Sequence, residues 1–419
     1  MFIRAMPLVI LLAIQWLPIS LNAAEDPVLI PTPPRLDARS YVLLDADSGR
    51  MLVAENADER LPPASLTKMM TSYILSSELA KGNLHADDLV PISRNAWAQN
   101  PVFKGSSRMF IEVGKKVRLD ALQKGVIISS GSDAAVAVAE FIAGSEDSFT
   151  DLMNHRAELL GMRNSRFANA HGLPAQEQYS TARDMALLAQ AIIRDFPEDY
   201  SLYAERSFSF NDIAQSNRNK LLWQDPSVDG LKTGYTQAAG YSLVASARRD
   251  DMRLIAVVMG ARSADARAQE NQKLLQYGFR YYETLKLYDA GQAIAQIKVW
   301  SGAEDRVAMG VLNDVYVTIP RGKREALTAE LEFDDVIEAP IATGQALGLL
   351  RLNLDGAPLL RGDAAAVSGD AEGGDAGEAL TPALVALGTV EQAGLVARLW
   401  DAMMLFFYQL FGTSTTEVS

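Results

Sequence analysis

Apolar residues follow two rhythms along this chain, one of period two and one of period near 3.6, and together they outline its elements. From Ser40 to Leu61, "SYVLLDADSGRMLVAENADERL" carries two apolar runs on either side of a D-S-G-R turn, which predicts a β-hairpin. After two prolines, Leu66, Met69, Met70, Tyr73 and Ile74 recur at i, i+3, i+4, i+7 and i+8, the spacing of one apolar helix face. Helical spacing also predicts elements over Leu119 to Ala143 and Thr181 to Arg194, the second opened by Thr181 as a cap. Gly240 to Ala261 reads as two strands joined by a charged turn. Strands, helices and strands again imply an α/β body of the α+β kind, with a mostly antiparallel sheet and a helical insert.

The pattern changes near Asp289. From there to about Asp355, short β-type runs ("IAQIKVW", "DVYVTIPRG", "LTAELEFD", "ALGLLRLNLDG") are separated by turn residues, which predicts a small all-β domain over 289–388. Within it, "RGDAAAVSGDAEGGDAGEA", residues 361–379, is rich in Gly, Ala and Asp and offers too little apolar surface to order itself, so it reads as a flexible acidic loop. Nothing in it suggests chemistry. In the last element, 389–412, Leu395, Leu399, Met403, Phe406, Phe407 and Leu410 share one broad face of a helical wheel, and a tail follows at 413–419. The uncharged part after Asp401 is too short to cross a bilayer, so an in-plane membrane anchor is expected, with docking on its own domain as the alternative. The helix lacks a surplus of lysines for anionic lipid, and it leaves a homodimer through the same face open.

The amino terminus has Arg4, an apolar run from Met6 to Leu21 and then small residues before Glu25 and Asp26. This is the layout of a secretory signal peptide, residues 1–23, against a retained anchor for which the run is short. The full chain of 419 residues, 48% hydrophobic, has material for more than one core. Acidic residues outnumber basic ones 52 to 39, a formal charge of -13, which leaves no electrostatic footprint for nucleic acid. There is no cysteine, so neither disulfides nor thiol chemistry contribute. The histidines, His85, His155 and His171, show no zinc spacing, and "NAHGLP" around His171 reads as a turn. No metal and no cofactor is expected.

One residue does not suit its helix. Lys68 lies one turn after Ser65, on the stripe bordering the apolar face, so the two side chains can meet. A serine hydroxyl needs a base to become a nucleophile, and a half-buried lysine in its free-amine form can be that base. Alone, Ser-x-x-Lys is far more readily a surface lysine on an amphipathic helix. Further along stand "SSGSDAA", with Ser130, Gly131 and Ser132, and "VDGLKTGYT", with Lys232, Thr233 and Gly234, just before the predicted strand pair. S-x-x-K, an S-x-N-type triplet and K-T-G, in that order, mark the active-serine β-lactamases and penicillin-binding proteins.

On these motifs, and on "PASLTKMMTSY", "NPVFKGSSRMF", "RNKLLW", "LVASA" and "MRLIAVVMGAR", the chain resembles the serine D-alanyl-D-alanine carboxypeptidases, low-molecular-mass penicillin-binding proteins of the 5 and 6 type, from about Ser40 to Gly412. The resemblance implies a β-lactamase/transpeptidase-like catalytic domain over 25–288, then a β-sandwich domain and a helix holding the enzyme to the outer face of the cytoplasmic membrane. It implies removal of the terminal D-alanine from peptidoglycan pentapeptide, with β-lactam antibiotics as covalent inhibitors. By position, Ser65 would be acylated, Lys68 its base and Ser130 a proton relay to the leaving amine. Lys232 would supply field and assist Ser130, while Thr233 would bind the substrate carboxylate with the help of Arg218 and Arg267. Gly234 would let substrate approach the strand, and the N–H groups of Ser65 and Tyr235 would form an oxyanion hole.

Two departures stand out. Ser132 replaces the family's usual asparagine, with shorter reach and one fewer donor, and Tyr235 stands where close relatives have histidine. Rival readings are a β-lactamase, which would need a carboxylate to activate the deacylating water, an endopeptidase on cross-links, and a non-catalytic cell-wall binding protein.

Overall fold

The computed structural model describes residues 30–360, 365–366 and 379–411. The expected signal peptide and tail lie outside these, as does most of the acidic segment.

The predicted hairpin forms as β1 (Ser40–Asp45) and β2 (Met51–Glu55), with D-S-G-R in its turn. Three later strands, β3 (Val228–Thr236), β4 (Gly240–Arg249) and β5 (Met252–Ala261), complete an antiparallel sheet in the order β2-β1-β5-β4-β3. Residues 365–366 of the acidic segment add a short parallel pairing to the free edge of β2. Alternation along the strands feeds two cores. Val42, Leu44, Ile255 and Val257 pack into the helical layer on one face. Leu43, Leu254, Ala256 and Val258 pack with Leu274 and Leu275 of α6 (Ala264–Tyr281) on the other. Because both faces are covered, these strands read as nearly continuous apolar runs.

The helical insert consists chiefly of α1 (Thr67–Ala80), α2 (Leu119–Ile127), α3 (Ser132–Ala143), α4 (Glu146–Leu159) and α5 (Ala182–Asp195). Thr181 caps α5 as expected, its side chain accepting from the Asp184 N–H. Two expectations need correction. The helix expected over Leu119 to Ala143 is broken, because Ser130 takes a left-handed φ of 57° between α2 and α3. Helix α1 does not lie half in solvent: every residue from Thr67 to Ser77 is buried, polar ones included, and the Thr71 hydroxyl donates to Ala170 O at 2.6 Å. Neighbours on all sides, rather than one apolar stripe, hold α1 in place.

The second body begins as α6 ends. Strand β6 (Tyr282–Tyr288) pairs with β9 (Val315–Pro320). Opposite them lies a sheet of β7 (Ala293–Lys298), β8 (Arg306–Gly310), β10 (Leu327–Phe333), β11 (Ala346–Leu354) and β12 (Ala383–Ala386), in the order β7-β8-β12-β11-β10. Leu285, Val317 and Ile319 share a core with Val307, Met309, Leu350 and Leu384, so the two layers form a sandwich. Helix α7 (Leu395–Phe411) leaves Leu395, Leu399, Met403, Phe406 and Phe407 exposed, together with Val396, Trp400 and Met404. It touches the sandwich through Asp401, which accepts the Ser301 N–H at 2.8 Å.

The two bodies are hydrogen-bonded at the D-S-G-R turn. Buried Asp45 accepts from Ser48 N–H at 2.8 Å, the Ser48 hydroxyl at 2.7 Å and the Thr284 hydroxyl at 2.7 Å. Arg50 Nη1 donates to Thr318 O at 2.6 Å. A buried carboxylate losing one of these donors is left under-solvated. Thr284→Val should therefore lower stability by about 1–2 kcal/mol, read as a fall in Tm by calorimetry with an unchanged circular dichroism spectrum.

Candidate active site

Three segments distant in sequence converge at one end of the sheet. The first is the turn Ala64–Leu66, a single 3-10 turn leading into α1, in which Ala64 adopts a φ of 49°. It leaves Ser65 half-buried while Lys68, one turn on, is only 1% exposed. The second is the break between α2 and α3, which carries Ser130. The third is β3, where Lys232 lies opposite Val244 on the sheet face that carries the helical layer. Gly234 keeps that face open, since a Cβ there would come within 3.0 Å of Pro63 O.

Lys68 Nζ lies 3.2 Å from Ser65 Oγ and 3.3 Å from Ser132 Oγ, and it donates to His171 O at 2.5 Å. Burial, above all, lowers its pKa from 10.5 to about 7, with the Asp133 charge opposing and the Arg218 charge assisting. The consequence is large: roughly half the molecules carry the free amine near neutral pH, against about one in three thousand for a solvated lysine. Lys232, also buried, donates to Ser130 Oγ at 2.8 Å and to Thr233 O at 3.2 Å. Its pKa too is driven well below the usual lysine range, by burial first and then by Lys68, Arg218 and Arg267. Ser65–Lys68 and Ser130–Lys232 are thus two hydroxyl–amine pairs, near enough that the Lys68 charge bears on Lys232.

The remaining expected residues are distributed as follows. Thr233 is buried beside Lys232. Arg218 Nη1 donates to Ser129 O at 2.5 Å, fixing the chain next to Ser130. Arg267 is buried, and its Nη1 donates to Gly234 O at 3.0 Å and Ser242 O at 3.3 Å, so it braces β3 against β4 from behind. The Tyr235 ring is 53% exposed and stacks on Tyr241 at 4.2 Å between centroids. The Ser132 hydroxyl is turned to Lys68.

Several residues that build the site carry no motif. Asp133 accepts from the N–H groups of Met109, Phe110 and Ile111 at 2.7, 2.8 and 3.2 Å, and from Ala134 at 2.9 Å. Burial raises its carboxyl pKa and those donors oppose the rise. It ties the irregular segment Met109–Ile111 to the start of α3. The "NAHGLP" segment is a turn, as expected: Asn169 Oδ1 accepts from Gly172 N–H at 2.6 Å and His171 N–H at 3.3 Å. Its function in the fold is to aim the His171 carbonyl at Lys68. The His171 ring is no base for Ser65. It is held neutral, with a pKa lowered to about 3 by burial and then by Lys68, its Nδ1 accepts from Leu173 N–H, and its Nε2 lies 3.5 Å from Glu146.

Gly172 has a φ of 84°, and a Cβ there would sit 1.8 Å from the Ala64 carbonyl oxygen. Backbone meets backbone at that point, so neither side can yield cheaply. Gly172→Ala should cost at least about 3 kcal/mol, and thermal unfolding followed by circular dichroism would show it as a Tm far below that of the parent.

Among the described residues no group of His, Cys, Asp or Glu is arranged to hold a metal ion. Residues 28–263 match the model of the D-alanyl-D-alanine carboxypeptidase family, and residues 282–391 match that of the penicillin-binding protein 5 C-terminal domain. The D-alanyl-D-alanine carboxypeptidase DacA of Escherichia coli is 49% identical over 78% of this chain and 82% of its own length. The DacC enzyme of the same organism is 42% identical over 93% of each chain. The crystal structure of penicillin-binding protein 5 from Haemophilus influenzae superposes with a TM-score of 0.77 at 42% identity, over 86% of this chain and 100% of that one. The two matched segments coincide with the α+β body and the sandwich, and this chain belongs to the D-alanyl-D-alanine carboxypeptidase family.

Proposed function

We propose that the protein is a serine-type carboxypeptidase that removes the terminal D-alanine from peptidoglycan pentapeptide through an acyl-enzyme. The observation that carries this reading is the Ser65–Lys68 pair, 3.2 Å apart, with the amine buried so that its free form is populated near neutral pH. Lys68 takes the Ser65 proton as Ser65 Oγ attacks the penultimate carbonyl carbon. The developing oxyanion is met by the Ser65 and Tyr235 backbone N–H groups, each such donor being worth about 3 kcal/mol. Ser130, polarised by Lys232 at 2.8 Å, relays the proton taken up by Lys68 to the departing D-alanine nitrogen, so the C–N bond breaks with a neutral amine leaving and Lys68 is again free. Water then hydrolyses the ester. The α-carboxylate of the leaving residue meets Thr233 and the positive field of Lys232, Arg218 and Arg267. β3 is the last strand of its sheet on that side, so its outer edge can pair with an extended peptide. A β-lactam, attacked at its ring amide, leaves the acyl group on Ser65.

We further propose that the protein works on the outer face of the cytoplasmic membrane after export. No described helix is long and apolar enough to cross a membrane. The exposed apolar residues of α7 suit burial in the plane of the headgroups, with the sandwich between the helix and the catalytic body.

Incubation with benzylpenicillin should add one acyl group to Ser65 by mass spectrometry, and Ser65→Ala should take none; an unmodified, folded parent protein would reject the reading. Lys68→Arg should cut acylation by about 10²–10⁴-fold, because a guanidinium cannot give up its proton. Since the free amine is the active form and protonation removes it, the acylation rate should fall as pH drops below about 7. Turnover of pentapeptide against a cross-linked dimer separates carboxypeptidase from endopeptidase action. Deleting Gly394 to Ser419 should move the protein from the membrane pellet to the supernatant while pentapeptide hydrolysis in solution is kept; continued sedimentation would rule out the anchor.

A further inference from the structure

The neighbours of Lys68 raise a question of hydrogen-bond direction. A free amine has two N–H groups and one lone pair. His171 O, at 2.5 Å, can only accept, so it takes one N–H. One N–H and one lone pair remain for two hydroxyls, Ser65 Oγ at 3.2 Å and Ser132 Oγ at 3.3 Å. In one arrangement the Ser65 O–H points at the lone pair and Ser132 accepts the N–H; proton transfer from Ser65 can follow. In the other, Ser132 donates to the lone pair and Lys68 donates to Ser65, whose proton then has no base. A hydroxyl at 132 permits both, because it rotates to donate or accept. Ser132 is 1% exposed, and among the described residues its hydroxyl has no hydrogen-bond partner besides Lys68. Its proton therefore has one protein acceptor, the same lone pair that Ser65 needs.

We propose that Ser132 is a positioning residue that holds back acylation by competing with Ser65 for the Lys68 lone pair. This rests on the reading of Lys68 as the base of Ser65. Other charged or titratable groups lie about the same amine: Asp133 on α3, Arg218 just after the hairpin of residues 207–216, Lys232 on β3 and the neutral His171. None of these offers a rotatable hydroxyl, so they set how often Lys68 is uncharged and leave its orientation to the two serines.

The test is the benzylpenicillin acylation rate as a function of pH, by stopped flow, for the full chain and for Ser132→Ala and Ser132→Asn. With alanine the rival proton is gone. With asparagine, a carboxamide oxygen facing the amine can only accept, which leaves the lone pair to Ser65. If the two arrangements are equally populated, removing the unproductive one raises the high-pH plateau about twofold, and more if it dominates. The acid limb should also move, and in opposite directions. Alanine takes an acceptor from the ammonium form and shifts the limb to lower pH, whereas asparagine supplies a firmer acceptor and shifts it higher. A purely structural role would move Tm and leave the limb in place. A plateau at or below that of the parent in both variants, or limbs that stay where the parent's is, overturns the proposal. A parent that takes no acyl group on Ser65 overturns it together with the function proposed above, so the two failures are distinguishable.

Discussion

Two amines share one dry pocket, and much of the catalytic body can be understood as the framework that this arrangement requires. Lys68 and Lys232 are 1% and 3% exposed, burial lowers the proton affinity of both, Lys68 lowers that of Lys232 further, and Asp133 is the anion that bears on Lys68. Burying unpaired cations is costly, so both amines hold their protons less tightly than a solvated lysine, and the remaining polarity is met by neutral acceptors. The acceptors here are the His171 and Thr233 carbonyls and the hydroxyls of Ser65, Ser132 and Ser130. Thr233 and Ser132 are presented from β3 and from the start of α3, while the others come from irregular backbone: the break at the left-handed Ser130, the Asn169 turn and the turn of the left-handed Ala64.

The same constraint accounts for α1. The helix that delivers this base is enclosed on all sides from Thr67 to Ser77, its polar residues included. Thr71 bonds to Ala170 O, one residue before the His171 carbonyl that holds Lys68. Helix and loop are thereby fixed to each other twice within a few residues, and the Gly172 contact with Ala64 closes the gap between them.

Much of this could be read from the chain. The D-S-G-R hairpin, the Thr181 cap and the strands on either side of Arg249 follow from local pattern, and the three motifs identify residues that the fold brings together. What could not be read has physical reasons. Apolar spacing continues from Leu119, Leu122 and Val126 into Val136 and Val138, so periodicity alone runs two helices together across Ser130. In α1 the buried Thr and Ser residues imitate a solvated face. The partner that holds Lys68 is a backbone carbonyl, which leaves no side-chain signal. Arg267, whose type suggests carboxylate binding, directs its hydrogen bonds to backbone oxygens of β3 and β4.

The junction at Asp45 has a mechanical consequence. The chain passes from α6 into β6 without a spacer, and a second attachment, through Thr284, Thr318, Ser48 and Arg50, lies on the hairpin of the catalytic sheet. Two points of attachment resist swivelling where one would not. Any pull or torque on the sandwich is therefore delivered straight into β1, the strand next to β5 in the sheet whose far side carries Lys232, and the molecule transmits load as a stiff strut does, not as a tethered weight.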